Sequence, residues 1–112
     1  AMACAHYNVD NLVAIIDRNG IQNDRFTSQV MELEPMADKW RAFGWNTIEI
    51  DGHSFKEILD GLEKANGVKE KPTIIIAHTV KGKGVSFMEN NPSFHGKAAS
   101  KEELALALAE VG

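Results

Sequence analysis

Three short segments of this sequence carry side chains that can take part in chemistry. Asp17-Arg18-Asn19-Gly20-Ile21 offers carboxylate, amide and carbonyl oxygens beside a glycine, and such oxygens are the ligands that Mg²⁺ takes. Lys81-Gly82-Lys83-Gly84 places lysines between glycines, where a positive charge and a closely approaching backbone suit a phosphate. His95 lies between Phe94 and Gly96, and a histidine can move protons near neutral pH.

Each segment also has an ordinary structural explanation. A plain turn, a solvated basic loop and a surface histidine would account for the three in that order. Asp51-Gly52-His53 would simply end one element and begin the next. The lysine segment is not a P-loop, because the frame G-x-x-x-x-G-K-[ST] is absent. Taken singly, the segments leave both interpretations open.

The segments follow apolar runs that predict strands. Leu12–Ile16 and Pro72–Ala77 are apolar and rich in β-branched residues, as expected of strands buried on both faces. Thr47–Ile50 predicts a shorter strand between them. Polar, glycine-containing residues 18–34 and 78–99 are predicted to be loops.

Apolar residues at helical spacing predict the helices between and after these strands. One helix is expected to begin with Pro35 as its first residue and to end at Gly44. The Ser-x-x-Glu patterns at Ser54 and Ser100 are capping boxes that predict two more helices, the first with an apolar stripe of Phe55, Ile58, Leu59 and Leu62. Strands that alternate with helices predict an α/β fold with a parallel sheet and flanking helices.

In such sheets ligands bind at the carboxyl ends of the strands, which is where the candidate segments lie. The predicted strands are few for a parallel sheet, and the visible helices can hardly cover both of its faces. Met2, Ala5 and Val9 also have helical spacing with no capping residue before them. We therefore expect an incomplete domain, completed by further chain or by a partner subunit.

Composition excludes several classes of function. The chain has 112 residues and a net charge of −4. This charge argues against nucleic-acid binding, which needs a clustered excess of basic residues. The single cysteine, Cys4, excludes an intrachain disulfide and a cysteine zinc site, and it fits a reducing cytoplasm. No apolar run approaches the roughly 20 residues of a membrane span. We expect a cytoplasmic protein without nucleic-acid or membrane partners.

The order of the motifs resembles the thiamine-diphosphate-binding domain of transketolase, in the form that is sometimes a separate N-terminal subunit. The resemblance covers nearly all of residues 1–112 and implies a partial thiamine-diphosphate-binding (PP-type) domain. It rests on these segments in this order: Asn11–Gln22, Glu34–Trp45, Asp51–His53, Lys71–Val85 and His95–Lys97.

The resemblance implies a role for individual residues. Asn19 matches the asparagine that ends the family's thiamine motif and would coordinate Mg²⁺ through its side-chain oxygen. Ile21 would offer its backbone carbonyl to the same ion, which holds the cofactor's diphosphate. Lys81 matches a position that lies against the cofactor, and His95 matches a histidine near the donor sugar that helps proton transfer.

The sequence also departs from the family pattern. The Gly-Asp-Gly half of the thiamine motif, with its aspartate ligand for Mg²⁺, is expected before Ala1. The pyrimidine-binding domain, whose glutamate activates the thiamine ring, is absent from these residues. Asn23-Asp24-Arg25 stands where many relatives read Ile-Asp-Gly, so the path of this loop is left open.

The resemblance implies a transferase of the pentose phosphate pathway that moves a two-carbon ketol unit from a ketose phosphate to an aldose phosphate. It would work in a two-fold assembly with a pyrimidine-binding subunit or domain, and the 112-residue chain alone is expected to be inactive. One alternative is a relative resembling deoxyxylulose-phosphate synthase. The other is a non-catalytic assembly subunit that binds no cofactor.

Overall fold

The computed structural model describes residues 1–112 and contains a parallel sheet whose middle strand is the most apolar one. Strands β1 (Val13–Arg18), β4 (Asn46–Asp51) and β5 (Thr73–His78) have the order β1-β5-β4. β5 pairs in parallel with both neighbours, and Arg18 and Asp51 each lie opposite His78. This pairing confirms the prediction of a parallel sheet. The apolar run 73–77 occupies the central position, which is buried on both faces.

The remaining elements are short, apart from two helices of more than ten residues. They are α1 (Met2–His6), β2 (Ile21–Gln22), β3 (Arg25–Phe26), α2 (Thr27–Val30), α3 (Met36–Ala42), α4 (Phe55–Gly67), a 3₁₀ turn (Pro92–Phe94) and α5 (Lys101–Val111). None of the helices combines the length and the apolar character that a membrane crossing requires.

The chain divides into two compact units. Unit 1 comprises residues 1–18 and 34–78, and unit 2 comprises residues 19–33 and 79–112. Unit 1 contains the parallel sheet with α1, α3 and α4, and its core includes Ile50, Ala65, Ile75 and Ala77. Unit 2 contains the β2–β3 hairpin, α2, the 3₁₀ turn and α5.

Small residues let α4 pack closely against the sheet. A Cβ atom on Gly61 would lie 3.3 Å from the Ile50 Cγ2 atom, and Ala65 is buried on the same helix face. The predicted helix is present, but its apolar residues are not all buried: Ile58 packs against the core, whereas Phe55 and Leu59 are 84% and 66% exposed. Phe55 and Leu59 lie on a second apolar face of α4, because the small residues Gly61 and Ala65 occupy the face that packs against the sheet.

Two helix starts differ from the predictions. Pro35 precedes α3 instead of opening it, and the Glu34 carboxylate accepts the Met36 N–H at 2.9 Å. At α4 the Ser54 hydroxyl accepts the Glu57 N–H, but the Glu57 carboxylate accepts the Asp51 N–H at 2.7 Å. The reciprocal bond of a capping box does not form there, because the Ser54 N–H already donates to the Asp51 carbonyl. The capping box at Ser100 is complete.

The predicted loops contain regular structure. Residues 18–34 hold the β2–β3 hairpin and α2, and residues 78–99 hold the 3₁₀ turn. The hairpin turns through Asn23 and Asp24, with Asn23 in the left-handed region at φ +54°. Asparagine tolerates this conformation better than most residues, which explains how Asn23-Asp24-Arg25 forms a tight turn.

Candidate functional site

The end of β1 leads into a turn built around Asn19. The Asn19 Oδ1 atom accepts the Ile21 N–H at 2.9 Å, across Gly20 at φ +75°. The Gly20 carbonyl in turn accepts the Thr27 N–H at 2.9 Å. These bonds fix the Asn19 side chain against the backbone of the hairpin that follows it.

The hairpin register determines where the Ile21 carbonyl points. The Ile21–Phe26 pair lies between the Gln22–Arg25 pair and the Gly20–Thr27 bond. Bonded and non-bonded pairs alternate along an antiparallel ladder, so Ile21 directs its N–H and its C=O away from β3. Its N–H meets Asn19 Oδ1 on that side, and its carbonyl therefore faces the same side as the Asn19 amide oxygen.

Both oxygens are of the type that a magnesium ion takes as ligands. An amide oxygen has two lone pairs, of which the Ile21 N–H occupies one, and the Ile21 carbonyl lies outside the ladder. Mg²⁺ is usually held by one or two protein ligands together with water and substrate phosphates. No group of three or more histidine, cysteine, aspartate or glutamate side chains in residues 1–112 could hold a metal, so a metal here would need ligands beyond the side chains of these residues.

The lysine segment is part of a compact loop, Lys81–Asn90, which we call the lysine loop. The Asn90 N–H donates to the Lys81 carbonyl at 3.0 Å and closes the loop at its base. Gly82 lies at φ +77°, and a Cβ atom there would be 2.6 Å from the Met88 carbonyl oxygen. The two sides of the loop are thus so close that position 82 has no room for a side chain.

The two lysines of the loop have different surroundings. Lys83 is exposed, and its Nζ atom lies 3.6 Å from the Glu89 carboxylate. Lys81 is half-buried and forms no ion pair or side-chain hydrogen bond. Lys81 is therefore the cation of this loop that has no charged partner.

His95 follows the 3₁₀ turn. Asn91 caps this turn by accepting the Ser93 N–H at 3.1 Å, and the His95 N–H donates to the Pro92 carbonyl at 2.9 Å. The His95 side chain is exposed and has no hydrogen-bonding partner. Its backbone is fixed while its imidazole is free to meet a ligand.

All four residues singled out from the sequence, Asn19, Ile21, Lys81 and His95, belong to unit 2. The structure joins Asn19 and Ile21 directly, and β3 lies against the 3₁₀ turn that precedes His95. No hydrogen bond or ion pair joins the side chains of Asn19, Lys81 and His95 to one another.

Comparison with known proteins shows the family to which this chain belongs. The family model described as "Transketolase, thiamine diphosphate binding domain" matches residues 1–112. The chain belongs to this family. Members of this transketolase family share a domain that binds thiamine diphosphate and a transferase role.

Transketolases that are built from separate subunits are among the relatives. The chain is 43% identical over 111 residues to an apulose-4-phosphate transketolase subunit from Phocaeicola vulgatus, covering 99% of this chain and 40% of that protein. It is 40% identical over 111 residues to a 6-deoxy-6-sulfo-D-fructose transketolase subunit from Clostridium sp., with the same coverage. The chain thus spans about 40% of the length of these relatives.

Complete transketolases share the fold. Human transketolase is 37% identical over 112 residues, which are 99% of this chain and 18% of that protein. The crystal structure of transketolase from Campylobacter jejuni superposes with a TM-score of 0.89 at 28% identity, covering 99% of this chain and 17% of that one. The α/β architecture is therefore that of part of a transketolase N-terminal domain.

One contact of this transketolase domain is not predicted by any sequence motif. The Glu110 carboxylate accepts the Ser86 N–H at 2.5 Å and the Ser86 hydroxyl at 2.8 Å. The Ser86 N–H and then its hydroxyl hold the pKa of Glu110 below its ordinary value. The only signal in the sequence is an acid in the last turn of a helix, where the helix dipole disfavours it.

Charged residues also meet at the carboxyl ends of the strands in unit 1. His78 Nε2 lies 3.0 Å from the Glu49 carboxylate, which also lies 3.6 Å from Arg41. The Asp51 carboxylate accepts the His53 N–H at 2.8 Å, so Asp51 has the local role of shaping the turn into α4.

Proposed function

We propose that this chain supplies the Mg²⁺ and diphosphate contacts of a transketolase that transfers a two-carbon ketol unit from a ketose phosphate to an aldose phosphate. The observation that carries the proposal is the Asn19–Ile21 turn, in which an amide oxygen and a backbone carbonyl face the same side. Membership of a thiamine-diphosphate-binding family supplies the ligand whose diphosphate this turn would hold.

The side chains of unit 2 fit separate parts of this task. Asn19 Oδ1 and the Ile21 carbonyl would hold Mg²⁺, and the unpaired ammonium of Lys81 would bind a diphosphate oxygen. The exposed imidazole of His95 would exchange a proton with a hydroxyl of the donor sugar. Bound thiamine diphosphate supplies the nucleophilic carbon and the electron sink that breaking the sugar's carbon–carbon bond requires.

We propose that residues 1–112 are part of this cofactor domain and work with a further chain or domain that binds the pyrimidine ring, in a two-fold assembly. Two relatives are subunits by name, and the chain has no carboxylate cluster for the metal. On this account the chain alone binds thiamine diphosphate negligibly and has no transketolase activity. Tight, Mg²⁺-dependent binding by the isolated chain in calorimetric titration would contradict this part of the proposal.

The metal role is tested by substitution at Asn19 in the assembled enzyme. Asn19→Ala removes both the metal ligand and the bond to the Ile21 N–H, so it should raise the Mg²⁺ concentration needed for half-maximal cofactor binding by about tenfold or more. Asn19→Asp keeps an oxygen at both tasks and should retain most of the binding. Gln22→Ala is the matched control, because it removes an exposed amide from the same hairpin. An unchanged Mg²⁺ dependence in Asn19→Ala would exclude the metal role.

A further inference from the structure

The lysine loop is attached at its tip to the last turn of α5. Ser86 lies midway between the ends of the loop and donates both its N–H and its hydroxyl to Glu110. A Cβ atom on Gly84 would lie 3.6 Å from the Val111 Cγ1 atom, which places Gly84 beside the same turn of α5. Ser86 and Glu110 are separated by 24 positions in the sequence, so this attachment is a tertiary contact.

Hydrogen bonds inside the lysine loop connect its tip to its base at Lys81. The Val85 N–H donates to the Gly82 carbonyl at 3.1 Å, and the Glu89 N–H donates to the Val85 carbonyl at 3.0 Å. The Glu89 carboxylate accepts the Gly84 N–H at 3.1 Å. With the Asn90–Lys81 bond at the base, these bonds leave few ways for the tip to move without moving the base.

An acid at position 110 is otherwise unfavourable. The carboxyl end of a helix carries partial negative charge, which repels a carboxylate. No lysine or arginine forms an ion pair with Glu110 in this structure. The two donors of Ser86 are therefore the contacts that compensate for this placement.

We propose that Glu110 is a positioning residue for cofactor binding: by holding Ser86, it fixes the lysine loop in the conformation that presents the Lys81 ammonium to the diphosphate. This inference rests on the proposed function, since it assigns Glu110 a role only through the role of Lys81. Glu110 itself touches neither cofactor nor substrate.

The test is a double-mutant cycle for thiamine diphosphate affinity in the assembled enzyme. Glu110→Gln weakens the attachment while keeping the side-chain shape, and it should raise the dissociation constant about fivefold. Lys81→Met should raise it about tenfold. If Glu110 acts through Lys81, adding Glu110→Gln to Lys81→Met should cause almost no further loss. Glu102→Gln, which removes an exposed acid from the first turn of the same helix, should leave the affinity unchanged.

Hydrogen exchange of the enzyme without cofactor gives a readout that does not depend on binding. The Ser86 amide should exchange about tenfold faster in Glu110→Gln and at the original rate in Glu102→Gln. Ser86→Ala changes the other partner of the Ser86–Glu110 contact. It keeps the bond from the Ser86 N–H and removes the bond from the hydroxyl. It should therefore weaken cofactor binding by a smaller factor than Glu110→Gln.

The outcomes separate this inference from the proposed function. Equal losses from Glu110→Gln with and without Lys81 would overturn the positioning role, because Glu110 would then act independently of the lysine. A normal affinity in Glu110→Gln beside a weakened Lys81→Met would also overturn it and would leave the proposed function intact. A normal affinity in Lys81→Met would overturn this inference and the role of Lys81 in the proposed function, and it would leave the metal role of Asn19 to its own test.

Discussion

Replacing Gly82 by alanine tests whether cofactor binding depends on the closed lysine loop. At φ +77° an L-residue costs about 1–2 kcal/mol. The new Cβ atom would also lie 2.6 Å from the Met88 carbonyl oxygen, and forcing such a contact adds about 1–3 kcal/mol. That oxygen accepts the Asn91 N–H at 3.1 Å, so moving it weakens a second bond. A gain of about 0.4–1 kcal/mol from the stiffer unfolded chain offsets part of this cost. The closed loop should therefore lose about 1–5 kcal/mol of stability, with a central value of about 3 kcal/mol.

Gly96 provides a matched control for the backbone strain alone. It has a similar φ of +73°, but a Cβ atom there would meet nothing within 4 Å. Gly96→Ala therefore carries the left-handed penalty without the steric clash and should cost about 1 kcal/mol or less. The difference between the two variants isolates the close approach of Gly82 to Met88.

Amide hydrogen exchange measures the loss directly. The Asn90 N–H closes the loop on the Lys81 carbonyl, and its protection should fall at least about tenfold in Gly82→Ala. It should be unchanged in Gly96→Ala. The affinity of the assembled enzyme for thiamine diphosphate should also fall more in Gly82→Ala than in Gly96→Ala. Full protection of Asn90 in Gly82→Ala would refute the reasoning, because the loop would then tolerate the side chain.

Three further predictions concern single side chains. Lys81→Met should weaken cofactor binding far more than Lys83→Met, whose charge is already paired, and titrations at rising salt should show the Lys81 effect shrinking as the charge is screened. His95→Ala should lower kcat/KM for the donor ketose phosphate at least about tenfold with a smaller loss of cofactor affinity, and an intact rate would exclude a catalytic role. The Met36 N–H and then Arg18 lower the pKa of Glu34, so its contribution to stability is present above the ordinary carboxyl pKa and is lost as pH falls through the lower folded value. Thermal unfolding followed toward acid pH should show a shallower loss of Tm in Glu34→Gln.

The strands were predictable because their signal is local. The run Pro72–Ala77 is apolar in nearly every position, and only the middle of a parallel sheet buries both faces of a strand; β5 lies there with Ile74, Ile75 and Ile76 each 1% exposed. The carboxyl ends of β1 and β5 therefore also followed from the sequence. The prediction that Asn19 and Lys81 follow the carboxyl ends of strands depended only on these two assignments.

The hairpin and the second face of α4 were not predictable in the same way. β2 and β3 have two residues each, which is too short for a period-two pattern to show. In α4 the stripe through Phe55 and Leu59 is more apolar than the face through Gly61, yet close packing selected the small residues. Hydrophobicity alone does not reveal how closely a helix can approach a sheet.

The candidate site depends on contacts of a kind that sequence patterns do not report. Asn19 and Lys81 could be named from their positions, but their presentation rests on bonds such as Ile21 N–H to Asn19 and Ser86 to Glu110. These bonds belong to unit 2 and link residues of its turns, loops and last helix. Substitutions in the core of unit 1 should therefore act mainly on stability. Substitutions at Gly82 or Glu110 should instead change cofactor affinity through the conformation of one loop. Measurements at these two positions therefore distinguish effects on cofactor binding from effects on the stability of the fold.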